Sequence, residues 1–217
     1  MKANLLVIFQ NLLPRHWLTA VIYRIARIRN TRIKDFLITQ FVCVFDVDLD
    51  EVRLDVPGDF ATFNEFFVRE LKDDARKIDD DSDAIISPAD GTVSHAGKIL
   101  GDSVFQAKGF DYSLGDLLAT DLDEVDRYID GNFATIYLAP YNYHRVHAPL
   151  AGELVAARYV PGDLFSVNEA TVTKLNGLVR RNERLIMHFR TDHGSVVVIL
   201  VGALNVGSIS TPWTGEI

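Results

Sequence analysis

Hydrophobic positions follow two regimes along the chain. Up to about residue 71 they recur at helical spacing, and from Ala84 onward they come in short runs broken by glycine and proline, the pattern of strands. The first regime opens with NLLVIFQNLLPRHWLTAVIYRIARIRN, in which Leu, Ile, Val, Phe and Trp alternate with spaced arginines and Pro14 interrupts the run. This pattern predicts two amphipathic helices, and a further apolar stretch from Ile33 to Val47 extends the same surface. Asp46 to Asp59 is acidic and ends in Pro57-Gly58, a boundary signal. Thr62-Phe63-Asn64-Glu65 has the form of a capping box, so a short helix is expected from Phe63 to about Leu71 with Phe63, Phe66 and Phe67 on its buried side. Lys72 to Asp83 reads as a solvated, charged connector.

In the second regime strands are predicted near Ala84 to Ser87, Gly91 to Ile99, Phe133 to Ala139, Gly152 to Val160, Arg184 to Phe189 and Val196 to Gly202. Ser113 to Ala119 reads as a turn or two of helix, with Ser113 as its cap. The expected fold is therefore α+β and mainly β: an antiparallel β-sandwich or barrel with amphipathic N-terminal helices. Two segments echo each other inside it. Ser87-Pro88-Ala89-Asp90-Gly91-Thr92-Val93 and Ala148-Pro149-Leu150-Ala151-Gly152-Glu153-Leu154 share the form small-Pro-x-x-Gly-x-aliphatic, 61 residues apart. Each reads as a tight turn into a strand, as if two related hairpin units packed together.

Composition narrows the class. With 48% hydrophobic and 24% charged residues among 217, the chain is globular. Its one cysteine, Cys43, allows no internal disulfide and fits a reducing compartment. The net charge of -8 conceals an asymmetry: residues 1 to 34 hold seven Lys and Arg and no acid, and the remainder holds 15 basic and 30 acidic residues. The acidic body argues against nucleic acid. Neither half of the basic segment reaches the roughly 18 apolar residues that a spanning helix requires. It fits helices lying in a membrane interface, where each basic residue near an anionic surface is worth about 1 kcal/mol. The other reading is that these helices cap the domain core. No small-residue cleavage site follows, so a removed secretory signal is not expected.

The candidate chemistry centres on His144 and His147, which follow an apolar strand and precede the second Pro-x-x-Gly turn. At this spacing they share a face only where the backbone is helical or turn-like. Three readings stay open on the residues alone. In the first the histidines and an acid form a proton-transfer site, with Asp90 as partner because it occupies the matching turn of the echo; a carboxylate behind an imidazole fixes its tautomer. In the second they bind zinc, for which a third ligand of suitable spacing is missing. In the third both are ordinary histidines with satisfied hydrogen bonds, and Asp90 is a turn aspartate bonding its own backbone. His16, His95, His188 and His193 are isolated. Tyr159 to Val167 is a loop with an apolar tip, either turn plus core or the mouth of a lipid pocket. No phosphate-cradling glycine loop or dinucleotide fingerprint occurs.

Several segments, in order, resemble the phosphatidylserine decarboxylase proenzymes of the bacterial type: TFNEFFVRELKDDARKI (62–78), SPADG (87–91), QAKG (106–109) followed by Tyr112-Ser113-Leu114, YNYHRVHAP (141–149), YVPGDLFSVN (159–168), Asn182-Glu183-Arg184 and VGALNVGSI (201–209). The resemblance implies a pyruvoyl enzyme that converts phosphatidylserine to phosphatidylethanolamine. The proenzyme of that family cuts itself at a Gly-Ser bond, and the serine becomes the covalent pyruvoyl group at the head of a small α subunit. Asp90 and His147 match the acid and base of that cut. His144 matches a histidine of the decarboxylation step, expected to act as the acid that protonates the carbon after carbon dioxide leaves. Tyr143, Phe165 and Ser166 are expected at the substrate pocket, and no metal is expected.

The resemblance also implies a β-scaffold like the duplicated hybrid motif of sugar-phosphotransferase and lysostaphin-like domains. It implies peripheral attachment to the cytoplasmic side of the cell membrane through helices in residues 1–47, a catalytic β domain over residues 60–217, and room for a homodimer. The family's Leu-Gly-Ser-Thr motif is absent, and Gly207-Ser208 and Ser210-Thr211 read as decoys. The expected cleavage serine therefore lies beyond residue 217, and the chain alone is expected to be inactive. The alternatives from other classes are a zinc hydrolase built on His144 and His147, or a non-catalytic carrier domain.

Overall fold

The computed structural model describes residues 14–217 apart from 82, 108, 109 and 121. Helix α1 (Arg15–Ala26) starts directly after Pro14, whose carbonyl accepts from Leu18 N–H at 2.9 Å. Proline suits this place because its missing N–H would have no helical partner. Helix α2 (Thr31–Phe45) is capped by Asn30, whose side chain accepts from Ile33 N–H, and ends where Asp46 turns left-handed at φ 52. These are the second of the two expected basic helices and the expected apolar extension. The first lies within residues 1–13, outside the described residues.

Helix α3 (Phe63–Phe67) carries the predicted cap: Thr62 Oγ1 accepts from Glu65 N–H at 3.1 Å. The Glu65 carboxylate reaches back to Ala61 N–H at 2.6 Å, one residue beyond the usual capping-box target. The helix stops at Phe67 and not at Leu71. Beyond it the backbone is drawn into pairing with residues 51–53: Arg53 N–H bonds Glu70 O, Lys72 N–H bonds Glu51 O, and Val52 bridges Leu71.

The β region contains β1 (Thr92–Lys98), β2 (Ser103–Ala107), β3 (Phe110–Ser113), α4 (Leu114–Leu118), α5 (Leu122–Val125), β4 (Asn132–Tyr137), β5 (Glu153–Val160), α6 (Glu169–Val172), α7 (Leu178–Arg181), β6 (Arg184–Thr191), β7 (Gly194–Val201), β8 (Ser210–Thr211) and β9 (Gly215–Glu216). Among the described residues its strands form four small sheets, β1 with β4, β2 with β3, β5-β6-β7, and β8 with β9. The α+β, mainly β class holds. The three-stranded sheet is antiparallel throughout, with Tyr159 opposite Leu185 and Leu185 opposite Leu200. The β2–β3 hairpin carries no strong turn signal in the sequence. The strand predicted at Ala84–Ser87 does not form. That segment makes one cross-bond, Ile86 N–H to Pro149 O at 2.9 Å, and Pro88 and Pro149 lack the donors that a ladder needs.

By its contacts the chain divides into two units. One comprises the described residues up to Ile22 together with His95–Thr135 and Gly152–Ile217; the other comprises Tyr23–Ser94 and Ile136–Ala151. The first unit packs Val104, Leu114, Leu117, Leu118, Val125 and Ile186 into one core, with a satellite of Phe165, Leu175 and Leu178. The second packs Ile38, Val47, Val52, Phe60 and Phe66, and Phe60 and Phe66 meet edge-to-face at 5.4 Å.

The two Pro-x-x-Gly turns are alike in one respect. A Cβ on Gly91 would lie 2.5 Å from Tyr137 O, and one on Gly152 would lie 2.8 Å from Arg190 O. Each glycine lets a strand start against a neighbouring backbone carbonyl.

Candidate active site

After β4 the chain turns at Ala139. Its N–H donates to Asn142 Oδ1 at 2.7 Å, and Asn142 N–H returns to Ala139 O at 2.9 Å. Arg69, 3% exposed, braces the turn by donating from Nη2 to Tyr141 O at 2.9 Å while its guanidinium lies 5.3 Å from the Phe66 ring. Burial lowers the pKa of Arg69 below its ordinary value. Arg145 ties the following residues to the end of α3, donating to Val68 O and to Glu70, both at 2.8 Å.

This turn aims the Asn142 carbonyl at His144 Nδ1, 2.8 Å away. A carbonyl only accepts, so Nδ1 carries the proton and Nε2 keeps its lone pair. The imidazole packs on Phe67 with ring centroids 4.0 Å apart. Burial pushes its pKa down to about 4, against the pull of the Asn142 bond, and the Arg69 charge adds to the depression. His144 is therefore neutral at physiological pH. As placed it offers a proton acceptor at Nε2.

His147 is exposed and faces a different neighbour. Its Nε2 lies 2.9 Å from the Tyr143 hydroxyl, with the two rings stacked at 5.6 Å and 14°. Burial raises the Tyr143 pKa, so the phenol keeps its proton at neutral pH. Among the described residues the two histidines share no hydrogen-bond partner. The backbone of His147 donates to Pro88 O at 2.8 Å, which sets this segment against the turn that carries Asp90.

Asp90 is held by Arg76. The guanidinium Nε reaches its oxygens at 3.0 and 2.9 Å, with Nη2 also bonded, while Nη1 and Nη2 clasp Glu51 at 2.6 and 2.8 Å. Two carboxylates raise the Arg76 pKa above its usual range. Among the described contacts Asp90 does not bond the His147 imidazole. The expected acid and base thus lie on cross-bonded segments, each side chain taken up by another partner. Arg76 lies in the connector read as solvated, and nothing in its charged surroundings distinguished it from Lys72 or Lys77. A cavity of about 150 Å³ opens beside these groups, lined by Glu51, Arg69, Arg76, Asp90, Asn142 and Tyr143 among others.

The other expected pocket residues lie in the first unit. Phe165 is fully buried, its ring faced by Arg15 at 3.8 Å and Arg181 at 4.7 Å. Asp163 accepts from Arg15 at 2.7 Å and lies 3.8 Å from Arg181. No part of the Phe165 ring is open to a ligand as placed. Ser166 is half-buried, and its hydroxyl accepts from Asn168 N–H at 3.4 Å. Ser208, in the decoy Gly-Ser, donates to Glu216 at 2.7 Å. Among the described residues no three His, Cys, Asp or Glu side chains come together as a metal-ligand set.

A family model for phosphatidylserine decarboxylase matches residues 63–215, and a second, described as PSD, matches residues 5–46. The chain belongs to the phosphatidylserine decarboxylase family. It is 45% identical to a phosphatidylserine decarboxylase proenzyme of Saccharophagus degradans over 217 residues, covering 100% of this chain and 76% of that relative. It is 47% identical to the corresponding proenzyme of Alcanivorax borkumensis over 218 residues, covering 75% of it, and 47% identical to that of Sodalis glossinidius over 211 residues, covering 72%. Asp90, Tyr143, His144 and His147 all fall inside the longer family match. Family membership makes the chain a decarboxylase, a carboxy-lyase, and the zinc hydrolase and carrier readings find no support among these relatives. No helix of the described residues is long and apolar enough to cross a membrane.

Proposed function

We propose that this chain supplies the large part of a self-processing decarboxylase that takes phosphatidylserine to phosphatidylethanolamine at an anionic membrane surface. The observation that carries the reading is the cross-bonding of the two turns. His147 N–H to Pro88 O and Ile86 N–H to Pro149 O hold the segment of the proposed base beside that of the proposed acid, inside the stretch that matches the family.

In this reading His147 Nε2 takes the proton of a serine hydroxyl supplied from beyond residue 217. Asp90, fixed by Arg76, provides the negative charge that steadies the resulting imidazolium. Asp90 retains lone pairs beyond those that Arg76 uses, so both interactions can coexist. A pyruvoyl group formed from that serine supplies the electron sink for the pair left by the departing carboxylate. The residues present fit such chemistry at His144, whose unprotonated Nε2 sits in a partly water-excluded niche against Phe67. In this reading His144 Nε2 accepts the proton that the substrate's ammonium group must lose and later returns it to carbon.

The membrane part rests on α2. Lys34 and Ile38 are buried with Phe41 and Val42 half-buried beside them, while Ile33, Phe36 and Val44 are exposed at 44, 63 and 70% on the opposite face. Together with the basic residues of 1–34 this gives a peripheral, cytoplasmic-side attachment through residues 1–47. The cut leaves a small second subunit as obligate partner of the catalytic region, residues 60–217.

The test is mass spectrometry of a proenzyme in which this chain continues into a Leu-Gly-Ser-Thr site. The parent protein is expected in two pieces, His147→Ala as one intact chain, and His144→Ala cut but slow on phosphatidylserine vesicles. Normal cutting of His147→Ala would overturn the assignment.

A further inference from the structure

The Tyr143 phenol, which lines the cavity, and the exposed His147 imidazole form a pair. The phenol O–H is the stronger donor of the two, and an imidazole nitrogen is the stronger acceptor, so the 2.9 Å contact runs from the Tyr143 hydroxyl to Nε2. The near-parallel rings, 14° apart, keep the two groups in register. A neutral imidazole carries one proton, which then sits on Nδ1.

We infer that Tyr143 is a positioning residue that sets His147 in the Nδ1–H tautomer and holds a hydroxyl at Nε2 until the reacting serine hydroxyl takes its place. The inference rests on the proposed role of His147 as base. A base backed by a carboxylate needs its lone pair on Nε2 and its N–H turned toward the acid, and the opposite tautomer presents a proton where a proton must be accepted. The described contacts of the ring include no other side chain, so without the phenol neither tautomer is held. The hydroxyl at Nε2 also marks where the incoming serine oxygen binds, since both oxygens are donors to the same lone pair. In the transfer the serine O–H bond breaks and its proton goes to Nε2, while Tyr143 keeps its own proton and is displaced as donor.

Long-range proton–nitrogen correlation on the uniformly 15N-labelled 217-residue chain reads the tautomer directly. The parent chain should show an acceptor-type Nε2 and a protonated Nδ1 at His147, and in Tyr143→Phe both shifts should move toward the values of an exchanging mixture. A protonated Nε2 in the parent chain, or unchanged shifts in Tyr143→Phe, overturns the inference whatever the variant's stability. In the complete proenzyme Tyr143→Phe should cut itself about tenfold more slowly, with KM for phosphatidylserine unchanged. Normal cutting with a raised KM would instead make Tyr143 a substrate contact and overturn the positioning role. If the nitrogen shifts behave as expected but His147→Ala still cuts, the base assignment fails while the tautomer assignment stands.

Discussion

The backbone N–H of His147 donates to the carbonyl of Pro88 at 2.8 Å, so the proposed base is anchored to the chain two residues before Asp90. The anchor is independent of either side chain. It explains why the two turns can be read as one site although Asp90 bonds Arg76 and His147 bonds Tyr143. It also makes the geometry sensitive to the residue that closes the first turn.

Gly91→Ala is expected to disturb both stability and self-processing. An added Cβ would meet Tyr137 O at 2.5 Å and the Ile136 side chain at 2.9 Å, and a backbone carbonyl cannot swing aside as a flexible side chain can. The expected cost is about 2 kcal/mol, read as a lower urea midpoint with unchanged slope. An unaltered midpoint would show that the turn is loosely held.

Stability should fall as pH drops toward about 4. The pKa of His144 is depressed from 6.5 to about 4 in the folded chain, so between these values the unfolded chain binds a proton that the folded chain refuses. The contribution is fully present above pH 6.5 and is lost through that window, at most about 3 kcal/mol. His188, also depressed by burial, adds in the same direction. Denaturant titrations across the window should show a shallower slope for His144→Gln, and an identical slope would mean that His144 titrates normally.

Membrane docking through α2 can be read at Cys43, the chain's one cysteine, exposed one residue before Val44. A polarity-sensitive fluorophore attached there should shift to the blue with vesicles containing anionic lipid and less so at high salt. Phe36→Glu should weaken the partition roughly tenfold, through lost apolar burial and added negative charge. No spectral change on adding anionic vesicles would remove α2 from the interface.

Asn182→Ala should be among the most destabilising changes outside the site. Asn182 is fully buried, accepts from Phe165 N–H at 3.0 Å and donates to Phe165 O and Gly202 O, both at 2.8 Å. Removing it strands buried backbone groups at a cost of about 3 kcal/mol. Thermal unfolding should show a drop of several degrees, and a loss within error would mean that water replaces the amide.

Local signals were legible where physics is local. The Thr62 and Ser113 caps, the strand at residues 92–98 and the strands of the β5-β6-β7 sheet follow from capping chemistry, glycine and proline punctuation, and runs of apolar residues. The strand expected at Ala84 to Ser87 failed because a ladder depends on its partner, and the partner segment contains Pro149. Phe165 looked like a pocket residue because an apolar residue at a loop tip has no visible neighbours in one dimension. Arg15, 150 residues earlier, covers it.

The sequence alone determined which residues were candidates at the site: on type and spacing Asp90, His144 and His147 left three readings open, and the resemblance supplied their expected roles. Only the tertiary structure decided the state of those groups. A tautomer, a depressed pKa and a salt-bridged carboxylate are set by what lies within about 4 Å. Here those neighbours are Asn142 and Phe67 for His144, Tyr143 for His147, and Arg76 with Glu51 behind it for Asp90.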